Sequence, residues 1–196
     1  MGYMKKIVIL LLLVISTGCH CPRYTHSGSV NGRLDFREGR WLLNTIEAPS
    51  RIEDVLTKIA DKEFTNLIGN RFSILERAKG ILMPSEVDGF SKSVLRDIKR
   101  GTGVDFLIHI KAENIASEIG AFQIGGVDTP VRNTGKVHLT IYDLNLLEEF
   151  YTHTIIGNLM ILKDSQDFAF AKNTNAIIRK GLKRIIKKIK KNKIRR

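Results

Sequence analysis

The chain has 196 residues, 43% hydrophobic and 27% charged, which is enough for one domain with a sizeable core and excludes wholesale disorder. Two Cys and four Pro exclude a disulfide-stapled, mucin-like or collagen-like chain. The net charge of +12 is concentrated: residues 172–196 hold 12 Lys and Arg and no acid, while residues 1–171 balance 20 basic against 20 acidic side chains. The body is electrically ordinary, and the excess sits in one terminal segment.

Lys5 and Lys6 form a basic start, and residues 7–15 are an unbroken apolar run. That run is less than half of the roughly 20 apolar residues a spanning helix needs, so it reads as the hydrophobic stretch of a signal peptide. Ser16, Thr17 and Gly18 then lead to Cys19. This exit is similar to the lipobox of bacterial lipoproteins. The resemblance implies a signal peptide over residues 1–18, cleavage before Cys19, and a diacylglyceryl and acyl (palmitate) modification of that Cys. N-myristoylation is excluded because Lys6 stands where Ser or Thr is required. Cys19 and Cys21 are too close to bridge comfortably, and with His20 and His26 they lack the ligand spacing of a zinc site. The polar, Gly- and Ser-containing stretch up to residue 39 is expected to be a flexible tether over residues 19–39.

The folded domain is expected over residues 40–186. Residues 41–46 are a short apolar run and a first strand. Ser50 and Glu53 form a capping box that predicts a helix from about Arg51, with Ile52, Val55, Leu56, Ile59, Phe64 and Leu67 at helical spacing and Gly69 as a left-handed cap. Residues 71–75 predict a second strand, and residues 84–89 a turn. Val94, Leu95 and Ile98 mark a second helix, stopped by Gly101 and Gly103. Residues 104–110 carry the clearest buried-strand pattern in the chain. A Gly-containing loop is expected over residues 113–134, with Glu113, Glu118 and Asp128 in it. Val137, Leu139 and Ile141 alternate with polar residues, residues 150–156 are β-rich, and the two runs predict a hairpin across residues 143–148. Asp164 or Ser165 is placed to cap a last helix running into the basic tail. The order β-α-β-α-β, then a hairpin, then a helix predicts an α/β fold with a single mixed sheet and three helices.

Three segments of this order resemble the curli-secretion (CsgG-type) lipoproteins: Asn70-Arg71-Phe72-Ser73-Ile74-Leu75-Glu76-Arg77, Gly103-Val104-Asp105-Phe106-Leu107-Ile108, and the hairpin around Asp143 and Glu148. Leu147 stands where the turn of that group usually has Gly. The penicillin-binding-protein activators and the amino-terminal domain of TolB share the fold. The resemblance therefore implies an anticodon-binding-like, TolB-N-like α/β domain and a role in an envelope assembly.

No Gly-x-Ser-x-Gly elbow, Walker loop, dinucleotide fingerprint or His-Glu-x-x-His is present. Glu148 and Glu149 are adjacent on a strand and face opposite sides, so they cannot share a site. No enzyme activity, metal or cofactor is expected. A regular register closed by Asp143 and Glu148 places His138 opposite His153, a cross-strand pair suited to metal binding or pH sensing, although sheet histidines are more often structural. The pore-forming hairpins of curli-type proteins need alternating strands of about 9–11 residues, and residues 113–134 show no such alternation.

The tail has Ile178, Leu182, Ile185 and Ile189 at helical spacing. Lys183, Arg184, Lys187, Lys188, Lys190, Lys191, Lys193, Arg195 and Arg196 are the candidate anionic-surface contacts. Residues 187–196 have little left to bury and are expected to be an exposed basic tail. The expected function is that of a non-catalytic envelope lipoprotein, an adaptor or scaffold at the outer membrane facing the periplasm. Its partners would be the membrane through Cys19, anionic lipid or envelope polymer through the tail, and an envelope protein; no nucleic acid is expected. The alternatives are a subunit of a CsgG-type secretion pore, or an envelope hydrolase without a recognisable motif.

Overall fold

The structure, a computed structural model, describes residues 21–29, 34–77, 89–117, 131–161 and 173–192. The segment expected to be a signal peptide, Cys19, most of the turn expected at 84–89, the caps expected at Asp164 or Ser165, and Lys193, Arg195 and Arg196 lie outside them. Among the described residues six strands are formed: β1 (Arg23–Ser27), β2 (Trp41–Leu43), β3 (Phe72–Ile74), β4 (Phe106–Ser117), β5 (Val131–Asp143) and β6 (Glu148–Ile161). The helices are α1 (Glu53–Ile68), α2 (Lys92–Thr102) and α3 (Thr174–Asn192). All six strands make one mixed sheet in the order β1-β6-β5-β4-β2-β3. β2 runs parallel to β3 and β4, as the intervening helices require, and β4, β5, β6 and β1 are antiparallel neighbours.

Helices α1 and α3 cover one face of the sheet. Leu56, Ala60, Phe64 and Ile68 repeat every four residues on α1 and meet Leu43, Ile108, Ile110, Leu139, Ile141 and the apolar stripe of α3 in one core. Helix α2 lies on the other face, where Leu95 and Ile98 pack on Leu42, Leu107 and Tyr142. Ser91 caps α2 by accepting the Val94 N–H, and Gly103 ends it in the left-handed conformation at φ 66°. Helix α1 starts differently from the capping-box expectation. Ser50 makes no cap; a turn in which Ile52 N–H donates to Pro49 O (2.9 Å) feeds the chain into the helix. Gly69 has φ 76° but ψ −142°, so it leads into a 3-10 turn over Gly69–Arg71 instead of forming a left-handed cap.

Three further expectations are corrected. The tether is shorter than residues 19–39: β1 forms within it and pairs with β6, and Leu34 and Phe36 are buried. Phe36 packs on Trp41, and the Arg71 guanidinium donates to Phe36 O (2.6 Å) and Gly39 O (3.0 Å), fastening this segment to the domain. The loop expected over 113–134 is also narrower, because β4 continues to Ser117 and β5 begins at Val131. A bulge between Asn114 and Ala116 breaks the alternation there and hides the strand pattern. The tail, finally, stays helical and docked to Asn192: Ile189 is 0% exposed, and Lys190 Nζ is paired with Glu63 of α1. Residues 187–192 thus belong to the folded body.

Candidate functional site

The β5–β6 hairpin closes with Asp143 opposite Glu148, as expected. Asp143 Oδ1 accepts the N–H groups of Asn145 (2.8 Å) and Leu146 (3.0 Å), and Leu147 takes the left-handed conformation at φ 58°. Gly would fill that position without strain, which for a branched residue costs about 1–2 kcal/mol. The register then changes. A bulge between Ile141 and Tyr142 leaves Phe150 as an extra residue, so His138 pairs with Thr154 and His153 with Leu139. A slip of one residue moves every later side chain to the other face, and the expected His138–His153 pair is not formed.

His138 lies on the sheet face opposite α3. Its Nδ1 is 2.7 Å from Thr154 Oγ1 and its Nε2 is 2.9 Å from Thr140 Oγ1. Nearby on that face Lys136 Nζ meets Glu113 Oε2 at 3.0 Å. His153 faces α3 instead, 2% exposed, and its Nε2 is 3.2 Å from Nδ1 of His26 on β1. Tyr151 stacks on its ring. Burial lowers His153 to about 4, with smaller contributions from the charges of Lys188, His26 and His138. His26 is lowered as well, by desolvation of its ring and then by Lys188 and Arg184. The histidine pair of this fold joins the edge strand β1 to its neighbour β6 in its neutral form. Sequence reasoning missed it because His26 stands in a segment without periodicity.

Helix α3 runs alongside these residues in the direction of β1 and β5. Its first residue, Thr174, donates to Ala116 O (3.0 Å). Gly135 and Gly157 approach Ile178 and Ile177 so closely that a Cβ on either Gly would overlap the Ile. Lys188 reaches the histidine pair one strand-length further on. The buried stripe Ile177, Ile178, Leu182, Ile185, Ile186 and Ile189 leaves the cations in two ridges of i, i+4 spacing. The inner ridge, Lys180, Arg184 and Lys188, borders β1, and the Arg184 guanidinium lies over the Tyr24 ring at 4.3 Å. The outer ridge, Lys183, Lys187 and Lys191, is exposed. Between α3 and α1, Lys183 and Lys187 border a shallow cleft of about 270 Å³, where Lys190 meets Glu63. Of the predicted tail contacts the structure thus brings Lys183, Arg184, Lys187, Lys188, Lys190 and Lys191 onto one helix, in adjacent rows on the face opposite the buried stripe.

The residues that carry the family resemblance do structural work. Asp105 Oδ1 pairs with Lys99 Nζ (2.6 Å) and Oδ2 accepts the Arg40 N–H (2.7 Å), which ties the end of α2 to the starts of β2 and β4. The hydrogen bond from Lys99 is the main cause holding this carboxyl below its usual range. Arg77 pairs with Asp61 of α1 at 2.6 Å. Among the described residues no group of three or more His, Cys, Asp or Glu is arranged to hold a metal, and no helix is long and apolar enough to cross a membrane.

Neither a scan against family models nor a search of curated proteins finds a match. By structure the chain is similar to PelC from Paraburkholderia phytofirmans, solved as a dodecamer. The two are 11% identical over 88% of this chain and 100% of that one, with a TM-score of 0.51. It is also similar to protein XCC0632 from Xanthomonas campestris (11% identity, 85% and 90% of the two chains, TM-score 0.41). Lipoprotein GNA1162 from Neisseria meningitidis is a third (10% identity, 78% and 96%, TM-score 0.40). At such identities the likeness is one of fold. The curli-secretion or TolB affiliation stays a resemblance of sequence motifs.

Proposed function

We propose that this chain is a cell-envelope lipoprotein that works by binding, as an adaptor or scaffold at the outer membrane facing the periplasm. One observation carries most of the weight. Strand β1 starts at Arg23, four residues after Cys19, and is laddered to β6 from its first residue. A lipid on Cys19 therefore holds a rigid sheet within about 14 Å of the bilayer, since four extended residues reach no further. Such an arrangement suits a body that presents a fixed surface to its surroundings. The cations of α3 supply that surface, and an envelope protein, an anionic polymer or anionic lipid is the partner class that complements them. The test is metabolic acyl labelling of the parent chain and of Cys19→Ser. The parent is expected to take up label and fractionate with membranes, the variant to do neither; label retained in the variant would refute the anchor.

A second function, a subunit of a CsgG-type secretion pore, draws support from the likeness to PelC, which was solved as a dodecamer. Native mass spectrometry of the form lacking residues 1–20 separates the two. A closed ring supports the pore subunit, and a monomer supports the adaptor.

A further inference from the structure

Between residues 179 and 191 every position of α3 that is not buried is Lys or Arg. Among the described residues one of these cations, Lys190, meets an acid, Glu63. The inner ridge, Lys180-Arg184-Lys188, and the outer ridge, Lys183-Lys187-Lys191, are about 60° apart around the axis and run together for about 17 Å. At that angle, on a helix about 10–12 Å across, both ridges reach nearly the same tangent plane. They therefore form one flat basic face, turned away from the sheet.

The layer that α3 shares with α1 is electrically lopsided. Helix α1 carries Glu53, Asp54, Asp61 and Glu63 against Lys58 and Lys62, whereas α3 carries no acid. The acidic helix packs toward β3, at one edge of the sheet, and the basic one packs over β5 and β6, next to β1 at the other edge. Strand β1 is the one that leads to Cys19. The Arg184 guanidinium lies over the ring of its Tyr24 at 4.3 Å, and Lys180 Nζ lies over it at 5.9 Å. Four residues separate Cys19 from Arg23 and span at most about 14 Å. The anchor thus leaves the body from the sheet edge beside the basic helix, and a bilayer that holds it is within reach of the cations. So short a tether keeps the headgroups at a high effective concentration beside α3, which a freely diffusing partner does not have. The apolar stripe has nothing to insert, because Ile178, Leu182, Ile185 and Ile189 are 0% exposed and spent on the sheet. The lipid supplies the hydrophobic half of the attachment and the helix the electrostatic half.

We propose that the exposed face of α3, both ridges together, is a docking surface for the anionic headgroups of the bilayer that holds Cys19, bound by charge without insertion. The choice of lipid as occupant rests on the lipoprotein proposal, and the test separates the two. The form lacking residues 1–20, which keeps every strand and helix described above, is co-sedimented with phosphatidylcholine vesicles made with and without phosphatidylglycerol. Binding is expected only with phosphatidylglycerol, and it should vanish at about 1 M salt, where the Debye length is about 3 Å. The triple variants Lys183→Gln/Lys187→Gln/Lys191→Gln and Lys180→Gln/Arg184→Gln/Lys188→Gln should each weaken it about a hundredfold, at roughly fivefold per cation. The control Lys92→Gln/Arg96→Gln/Arg100→Gln removes three cations of the same spacing from α2, on the other face of the sheet, and should change binding less than about threefold.

Equal losses in the α2 variant and the α3 variants at unchanged unfolding midpoints would overturn the face. So would equal binding to vesicles with and without phosphatidylglycerol, or binding to soluble polyphosphate with none to either vesicle. Acyl labelling of the full chain reads the anchor by itself. Label on Cys19 with no binding to phosphatidylglycerol refutes the face and leaves the lipoprotein standing; binding without label refutes the lipoprotein and leaves the face standing.

Discussion

Acidification should weaken this fold through His153. The ring is 2% exposed, faces Lys188, and is held neutral in the folded state, titrating at about 4 against the ordinary 6.5. Between these two values the unfolded chain binds a proton that the folded chain refuses, so stability falls as pH falls. The contribution is complete above about pH 6.5, declines below it, and is gone once the pH passes below about 4. A difference of about 2.5 units corresponds to about 3 kcal/mol, a large share of the roughly 5–15 kcal/mol that holds a domain folded. His26 acts in the same direction, and once both rings are protonated two cations would face each other across the 3.2 Å contact beneath Lys188 and Arg184. The assay is urea unfolding at fixed ionic strength from pH 7.5 to 4, comparing the parent with His153→Leu and His26→Gln. Subtracting the variant from the parent removes the carboxylates common to both. The parent should lose about 3 kcal/mol more than His153→Leu over this range. His26→Gln keeps the buried ring and should retain most of the slope. Parallel pH profiles for the parent and His153→Leu would refute the burial argument.

Ile189→Ala removes a fully buried side chain from the last turns of α3 and should cost about 2–4 kcal/mol in denaturant unfolding; no change would mean that α3 is undocked beyond residue 186. Gly157→Ala would place a Cβ 2.4 Å from Ile177 and 2.7 Å from the Tyr24 ring, so it should cost about 1–3 kcal/mol by overpacking and loosen β1, read as faster amide exchange at Arg23–Ser27. Ile108→Ala should cost about 2–5 kcal/mol, because Ile108 is 0% exposed in the central strand, and Phe106→Ala less, because that ring is only partly buried against Trp41; equal midpoints for parent and both variants would contradict the core assignment.

The sequence by itself determined the elements whose signals are local. The stripe of α3 is legible because helical spacing of Ile178, Leu182, Ile185 and Ile189 has one solution. The stop at Gly103 and the turn at Asp143 are likewise legible from single residues with special backbone or side-chain geometry. Alternation of helices and strands along the chain was enough for the mixed sheet. The histidine pairing was not legible, since an extra Phe150 in one strand leaves no mark on composition yet turns His153 to the opposite face from His138. Strand β1 was hidden for a related reason: five mostly exposed residues at a sheet edge carry no hydrophobic period, and only β6 beside them and α3 above them make them a strand. The tail shows the division most plainly. Its charge count was fixed in the sequence, but which cations lie beside Tyr24 of β1, which border the cleft next to α1 and which one is consumed by Glu63 depended on α1 and β1, elements more than a hundred residues earlier in the chain. Tertiary packing alone brings such distant groups within reach of each other, because side-chain contacts fall off over a few ångströms while sequence patterns report only neighbours a few residues apart.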